Sequence, residues 1–194
     1  PGPDANDASS YYDFGPEPRP YLFQNRTVKD LIKSVAINTN TGNYLIGEGA
    51  REALRGARVT YLPTWYLASL IKNKDRLAEL KNNFDMFAFA TANMLRVEYD
   101  AVSEADIFEA IDLPALVMGM GVQRNSDLSH LPKGTMRLLD YLRANDVATF
   151  VRGIPTADYM AGRGHKTVPA SGCPSIYYNP EGVSSALRLI YNKN

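Results

Sequence analysis

The chain has 194 residues, of which 45% are hydrophobic and 22% are charged, so it is long and apolar enough to bury the core of one globular domain. Lysine plus arginine and aspartate plus glutamate both number 21, and this zero net charge provides no bulk attraction to nucleic acid or an anionic membrane. The single cysteine, Cys173, excludes an intrachain disulfide and a multi-cysteine zinc site, and no apolar run is long enough for a transmembrane helix.

The first part of the chain divides into an arm and the start of a domain. Residues 1–20 are rich in proline, glycine, aspartate and serine, which predicts a flexible N-terminal arm over residues 1–26, and residues 27–194 are predicted to form one α/β domain. Within that domain, Ser34–Asn38 is predicted as a strand. A polar turn at Thr39–Asn43 and a helix over Tyr44–Leu54 are predicted to follow it.

The middle of the chain continues the alternation of strands and helices. Ser103 is predicted as the N-cap of one of these helices, with Asp106 at the N3 position as in a capping box. The predicted elements are Arg58–Leu62 (strand), Trp65–Asn82 (one or two helices), Asp85–Ala90 (strand), Ser103–Ile111 (helix), Ala115–Met118 (buried strand) and Lys133–Ala144 (amphipathic helix).

The stretch from Val147 to Tyr178 is predicted to form a strand–helix–strand unit. Its parts are a strand Val147–Val151, a turn at Arg152 and Gly153, a helix opened by Pro155 and closed around Gly162–Gly164, and an extended run that ends at Gly172–Ser175. A last helix is predicted over Glu181–Ile190. Five or six strand–helix repeats with short links predict an open, mostly parallel, doubly wound sheet of the Rossmann-like kind.

Four predicted strand exits carry small or polar residues. They are Thr39–Asn43, Thr91–Asn93, Gly119–Gln123 and Arg152–Thr156. Because the carboxyl ends of parallel strands meet at one edge, these exits predict a ligand site where glycine lets the backbone approach and the Arg152 guanidinium binds a carboxylate or phosphate. The alternatives are that the polar residues serve turn geometry alone and that Arg152 pairs with a carboxylate such as Asp158.

No residue pattern identifies a catalytic acid or base. Cys173 would need a base to act as a nucleophile, and His165 is eight residues earlier with nothing to place it within reach, so a buried, inert cysteine is favoured. His130 and His165 are the only histidines, and neither belongs to a cluster of ligating residues, so no metal site is predicted.

Several segments follow one another in an order and spacing that are fairly specific together. They are Thr41–Gly49 (TGNYLIGEG), Phe87–Leu95 (FAFATANML), Leu113–Gln123 (LPALVMGMGVQ), Phe150–Gly153 with Thr156, and Gly172–Ser175. In this order they resemble the polysaccharide pyruvyl transferase family over about residues 34–178. The resemblance implies transfer of a pyruvyl group from phosphoenolpyruvate to two hydroxyls of a sugar to form a ketal, with phosphoenolpyruvate as donor substrate and no cofactor. It also implies that the chain is the N-terminal, Rossmann-like half of a GT-B-like enzyme with two domains.

The resemblance also implies a set of substrate-binding residues. Arg152 would contact the donor carboxylate or phosphate, and the turn at Gly172–Ser175 would shape the crossing toward a second domain. A general acid is expected outside this chain, with His165 as the one candidate inside it. The implied substrate-binding residues are Arg152, Asn43, Asn93, Gly119, Gly121, Gln123, Thr156 and Ser175.

Two other functions stay open on the sequence. A non-catalytic Rossmann-like scaffold or assembly module would form a homo-oligomer or bind a second-domain partner, and half of a sugar-nucleotide-dependent glycosyltransferase would share the same architecture. A bacterial enzyme of the pyruvyl transferase kind is expected in the cytoplasm. A eukaryotic one is expected in the secretory lumen, where the glycosylation sequon at Asn25 would matter.

Overall fold

The computed structural model describes residues 41–60, 62, 64–123 and 128–191. The predicted arm and the predicted strand Ser34–Asn38 lie outside these residues. No helix within them is long and apolar enough to span a membrane. The described elements are α1 (Thr41–Ala53), α2 (Thr64–Leu70), α3 (Lys74–Asn83), β1 (Phe87–Ala90), α4 (Val102–Ile111), β2 (Ala115–Met120), α5 (Lys133–Ala144), β3 (Ala148–Val151), α6 (Ile154–Gly162) and α7 (Pro180–Tyr191), with 3-10 turns at Leu128–His130 and Pro174–Tyr177.

The three strands form one parallel sheet in the order β1, β2, β3. Phe87 of β1 lies opposite Ala115 of β2, and Leu116 of β2 lies opposite Ala148 of β3. Parallel neighbours need a crossover, which α4 supplies between β1 and β2 and α5 supplies between β2 and β3. The prediction of an α/β fold with a parallel sheet is confirmed, with three regular strands in the described part of the chain instead of five or six.

The main core lies between one face of the sheet and helices α4, α5 and α6. Phe108 of α4 is 2% exposed, and its ring meets the edges of Phe87 at 5.0 Å and Phe89 at 5.6 Å between centroids. Such edge-to-face pairs add to the free energy of burial itself. Leu142 of α5 and Val117 of β2 are fully buried in the same cluster. This packing holds the three strands in place and therefore sets the positions of their carboxyl ends.

Two predicted strands are not regular strands. The prediction for Arg58–Leu62 is wrong for residues 58–60 and 62, since an extended segment becomes a strand only when a neighbouring strand pairs with it. The run before Gly172 does pair in parallel with β3: Val151 N donates to Pro169 O and Ser171 N donates to Val151 O, each at 2.9 Å. The proline lacks an N–H group, which limits this pairing to an irregular edge of the sheet.

Two helix starts differ from the predictions. Helix α1 begins at Thr41 instead of Tyr44, so residues 41–43 form its first turn and not a separate polar turn. Small polar residues are favoured there because the first N–H groups of a helix lack partners inside it.

Helix α4 begins at Val102 after the N-cap residue Ala101, so the prediction of Ser103 as N-cap is wrong. A threonine of α5 instead contacts the N-cap residue Ala101. Thr135 Oγ1 accepts a hydrogen bond from Ala101 N at 3.2 Å and donates to Tyr99 O at 2.9 Å. A tertiary contact therefore determines where this helix starts.

Candidate functional site

The carboxyl end of β2 is bent by a β-bulge. The register with β3 shifts between Met118 and Met120, and Gly119 between them has a φ of 83°. Glycine adopts this left-handed conformation without steric strain, which is why it is suited to a bulge. Gly119, predicted in the turn after a strand ending at Met118, thus lies inside β2 and shapes the last residues of the strand.

Arg152 follows β3 and lies across the end of β2. Its backbone N donates to Met120 O at 2.8 Å, and its side-chain Nε donates to Gly119 O at 2.9 Å. A Cβ on Gly121 would lie 2.6 Å from Asn93 Oδ1 and 2.9 Å from Arg152 Cδ. The missing side chain of Gly121 therefore leaves the space that these two polar side chains occupy. The structure brings together four of the predicted site residues at the carboxyl edge of the sheet.

The terminal nitrogens of Arg152 have no hydrogen-bond or ion-pair partner among the described residues. The side chain is only partly buried, and these nitrogens are not among the buried unpartnered atoms, so solvent reaches them. Asp158, the alternative partner considered from the sequence, is exposed and makes no ion pair with Arg152. A guanidinium in this state can bind a carboxylate or phosphate through two parallel hydrogen bonds.

The N-terminus of α6 offers few free donors beside Arg152. Pro155 has no N–H group, and the N–H groups of Thr156 and Ala157 both donate to Gly153 O at 3.1 Å. Thr156 is 3% exposed, and its hydroxyl accepts a hydrogen bond from Val122 N at 3.1 Å. Thr156 therefore ties α6 to the chain after β2, and the guanidinium is the main cationic group at this position.

Two further predicted residues, Gln123 and Ser175, make contacts within the protein. Gln123 Oε1 accepts a hydrogen bond from an Arg96 terminal nitrogen at 3.0 Å. Ser175 Oγ donates to Cys173 Sγ at 3.1 Å, so its hydroxyl is directed at its own turn. The turn lies on the sheet, because a Cβ on Gly119 would be 2.5 Å from Pro174 Cδ.

Asn43 belongs to the first turn of α1, and its side chain lies outside the described residues. Gly49 of the same helix packs against Pro174, which itself contacts Gly119 near the carboxyl end of β2. Beyond Gly49, the end of α1 lies with Leu116, near the amino end of β2.

Arg96 is a residue of this edge that the sequence analysis missed. Its guanidinium carbon lies 5.5 Å from the centroid of the Tyr99 ring, and the Tyr99 hydroxyl donates to the buried carboxylate of Glu104. Burial and, after it, the contact with Glu104 hold the pKa of Tyr99 well above its usual range. The available signal was an arginine directly after the apolar Leu95, at the same strand exit as Asn93.

His165 lies at the opposite edge of the sheet. Its backbone N donates to Met160 O at 3.2 Å, where the end of α6 has returned to the amino end of β3. The next residue, Lys166, forms an ion pair there with Asp146. The side chain is 8% exposed, and burial, followed by the positive charge of Arg143, lowers its pKa below 6.5. His165 therefore cannot serve as the general acid for a ligand held by an arginine at the carboxyl edge.

A cavity of about 450 Å³ lies on the sheet face covered by α1 and the turn at Pro174. Its floor is formed by Leu116, Met118 and Phe150, which point away from the main core. Neither Arg152 nor Asn93 lines it. The cavity offers apolar packing, whereas the groups able to bind an anion are at the carboxyl edge.

No family model, curated protein or solved structure matches the chain. Within the described ranges, no group of three or more His, Cys, Asp or Glu side chains could hold a metal ion. The function must therefore be inferred from the residues themselves and from the geometry of the carboxyl edge.

Proposed function

We propose that this chain binds phosphoenolpyruvate at the carboxyl edge of its sheet and forms the N-terminal half of a polysaccharide pyruvyl transferase-like enzyme. One observation carries the proposal. Arg152, Asn93 and Gly121 meet at this edge, and the terminal nitrogens of the arginine have no counter-charge among the described residues. The parallel sheet supports a doubly wound, Rossmann-like half of a GT-B-like architecture, because open α/β sheets bind ligands at the carboxyl ends of their strands.

The chemistry of the donor fits an arginine site. Phosphoenolpyruvate is small and carries a phosphate and a carboxylate, both of which bind a guanidinium bidentately. In the transfer, C3 of the donor gains a proton, one sugar hydroxyl adds to C2, the bond from C2 to the phosphate oxygen breaks, and the second hydroxyl closes the ketal. The two hydroxyl hydrogens end on the new methyl group and on the released phosphate. A general acid and base are needed, and the proposal assigns both to a second domain or chain.

The test is isothermal titration of the protein with phosphoenolpyruvate, with pyruvate and inorganic phosphate as controls. We expect phosphoenolpyruvate to bind more tightly than both, because only it carries both acidic groups. Arg152→Gln should weaken this binding by about tenfold or more, since a charged hydrogen-bond donor is lost. The matched control is Arg163→Gln, which removes an arginine that stacks on Tyr159 at the amino end of the sheet.

Two results would contradict the proposal. One is phosphoenolpyruvate binding no tighter than pyruvate and phosphate, and the other is equal binding by the wild type and the Arg152 variant. Tighter binding of a uridine or guanosine diphosphate sugar would favour the glycosyltransferase half instead.

A second candidate is a non-catalytic assembly module. The observation that favours it is Ile154, the first residue of α6, which is 67% exposed directly beside the Arg152 turn. An exposed apolar side chain at this edge suits a protein interface, although a single one is also common on monomers. This candidate expects stable oligomers in light scattering and no donor binding, so a monomer that binds phosphoenolpyruvate would contradict it.

A further inference from the structure

Arg96 is held at the carboxyl edge by neutral neighbours. Its preceding residue, Leu95, pairs in parallel with Val122 just beyond the end of β2. One terminal nitrogen of Arg96 donates to Gln123 Oε1 at 3.0 Å, and the guanidinium lies over the Tyr99 ring. The amide and the ring orient the guanidinium, but neither neutralises its charge.

The charge of Arg96 is not matched within the described part of the chain. Its Nε is buried without a hydrogen-bond partner, and no described carboxylate forms an ion pair with it. Glu104, the nearby buried carboxylate, accepts instead from the Tyr99 hydroxyl. An unpartnered buried donor of a charged group is unfavourable. The second terminal nitrogen of Arg96 is not among the buried unpartnered atoms, so an anion from solution can reach it.

The strand register places Arg96 and Arg152 on either side of the chain that continues β2. Leu95 lies beside Val122 and Val151 lies beside Met120, so the two arginines lie beside Gln123 and Gly121. Two strand spacings and a two-residue offset put their Cα atoms roughly 12 Å apart.

Both arginine side chains belong to the same face of the sheet. Val122 packs against the main core, so the alternation of side chains directs Gln123 away from it, and Arg96 donates to Gln123 on that side. Arg152 contacts Gly119 and Gly121 on that face. The two guanidinium groups therefore approach one surface from its two sides.

We propose that Arg96 and Arg152 act as a pair that holds a small ligand with two acidic groups, one group at each guanidinium. The proposal rests on the proposed function and extends it, because it adds a second anchor and states why a donor with both a phosphate and a carboxylate is selected. A ligand with one acidic group engages one arginine and leaves the other without a partner. The pair thus discriminates by the number of acidic groups as well as by total charge.

The experiment titrates four probes into the wild type: phosphoenolpyruvate, 2-phosphoglycolate, pyruvate and inorganic phosphate. The first two carry two acidic groups and should bind more tightly than the last two. Arg96→Gln and Arg152→Gln should each weaken both of these two-acid probes by about tenfold. Because each single variant keeps only one anchor, the advantage of the two-acid probes over pyruvate and phosphate should largely disappear in it, and the double variant should bind all four probes more weakly still.

The control is Arg163→Gln, since Arg163 stacks on Tyr159 as Arg96 stacks on Tyr99, with 5.7 Å and 5.5 Å to the ring centroids. It should leave all four affinities unchanged. Arg96→Lys keeps the charge without the planar fork, so it should fold and should bind the two-acid probes with intermediate affinity. Circular dichroism melting of every variant reports folding independently of binding.

The outcomes separate this inference from the proposed function. If phosphoenolpyruvate binds and Arg152→Gln weakens it while Arg96→Gln and Arg96→Lys do not, the arginine pair is overturned and the proposed function stands. If 2-phosphoglycolate binds more tightly than pyruvate and phosphate while phosphoenolpyruvate does not, and both arginines matter, the pair stands and the proposed function is overturned. If no probe binds the wild type, both are overturned.

Discussion

The two edges of the parallel sheet carry their positive charges differently. At the amino edge, Lys166 pairs with Asp146 at 2.7 Å and Arg143 pairs with Asp140 at 3.1 Å, while Arg163 stacks on the Tyr159 ring. At the carboxyl edge, Arg152 has no carboxylate partner among the described residues. Exposed ion pairs contribute little to stability and leave no charge available, whereas an unpaired guanidinium beside glycine backbone can receive an anion. The comparison indicates that the amino edge has a structural role and that ligand binding belongs to the carboxyl edge.

The largest effect on stability is expected from a substitution in the β-bulge at the carboxyl edge. Gly119→Ala places a Cβ 2.5 Å from Pro174 Cδ and 2.7 Å from Thr91 O, at a residue whose φ is 83°. Overpacking and backbone strain together should lower the free energy of unfolding by about 2–4 kcal/mol, measured in urea.

The matched control for that variant is Gly56→Ala, because Gly56 also has a positive φ, of 107°, but has nothing within 4 Å of its Cβ position. It should cost about 1 kcal/mol through backbone strain alone. Equal losses in the two variants would show that the contact with the proline turn does not constrain the bulge.

The next largest effect is expected from the contact between Thr135 of α5 and the start of α4. Thr135→Val removes the hydroxyl that accepts from Ala101 N and donates to Tyr99 O in a fully buried position. Without the hydroxyl, Ala101 N and Tyr99 O lose their hydrogen-bond partner, which should lower the free energy of unfolding, measured in urea, by about 1–3 kcal/mol. The exposed Thr167, changed to Val, should have little effect, and a comparable loss there would contradict this explanation.

A pH-dependent effect should come from His165 at the amino edge. Burial and the charges of Arg143 and Arg163 lower the pKa of His165 below 6.5, so the folded state binds its proton more weakly than the unfolded state. As pH falls through about 6.5, the unfolded chain takes up this proton first and the free energy of unfolding decreases. The decrease levels off once the pH is below the folded-state pKa.

Urea unfolding between about pH 7.5 and 5 measures this decrease, and His165→Gln should reduce it. An unchanged pH dependence in the His165 variant would show that another group titrates. Binding of phosphoenolpyruvate by the wild type and His165→Gln should differ little, because the histidine is at the far edge from Arg152.

The smallest effect is expected at the paired charges. Lys166→Ala breaks an exposed ion pair, whose two side chains are 74% and 53% exposed, and should change the free energy of unfolding by less than about 1 kcal/mol. It should also leave the titration with phosphoenolpyruvate unchanged, in contrast to Arg152→Gln. Equal weakening by the two variants would mean that the titration reports overall charge and not a site at one edge.

The elements predicted best are those whose local pattern of apolar and polar residues is enough to identify them. Helix α5 was predicted over Lys133–Ala144 and is observed with the same bounds, because its apolar residues recur at helical spacing and bury one face. The prediction for Arg58–Leu62 failed because strand formation depends on a partner strand, which a local pattern does not reveal. Ser103 was wrongly predicted as an N-cap because Thr135, more than 30 residues later, contacts the start of that helix.

The residues of the candidate site also fall into those that the sequence could predict and those that only the fold shows. Asn93, Gly121 and Arg152 could be predicted together because each follows an apolar strand and the carboxyl ends of parallel strands share an edge. Arg96 could not be distinguished from an ordinary exposed arginine, because only the fold shows that its Nε is buried without a partner. Likewise, only the fold places His165 at the opposite edge and turns the Thr156 hydroxyl into the protein.

The sequence by itself determined the α/β class of this chain, the amphipathic helices and the polar strand exits, since these depend on residue types at short, regular spacing. The tertiary structure alone decided the bulge at Gly119, the caps of the helices and which cations are paired. Those features depend on contacts between residues far apart in the chain, such as Gly119 with Pro174, whose geometry is set when the sheet and helices pack.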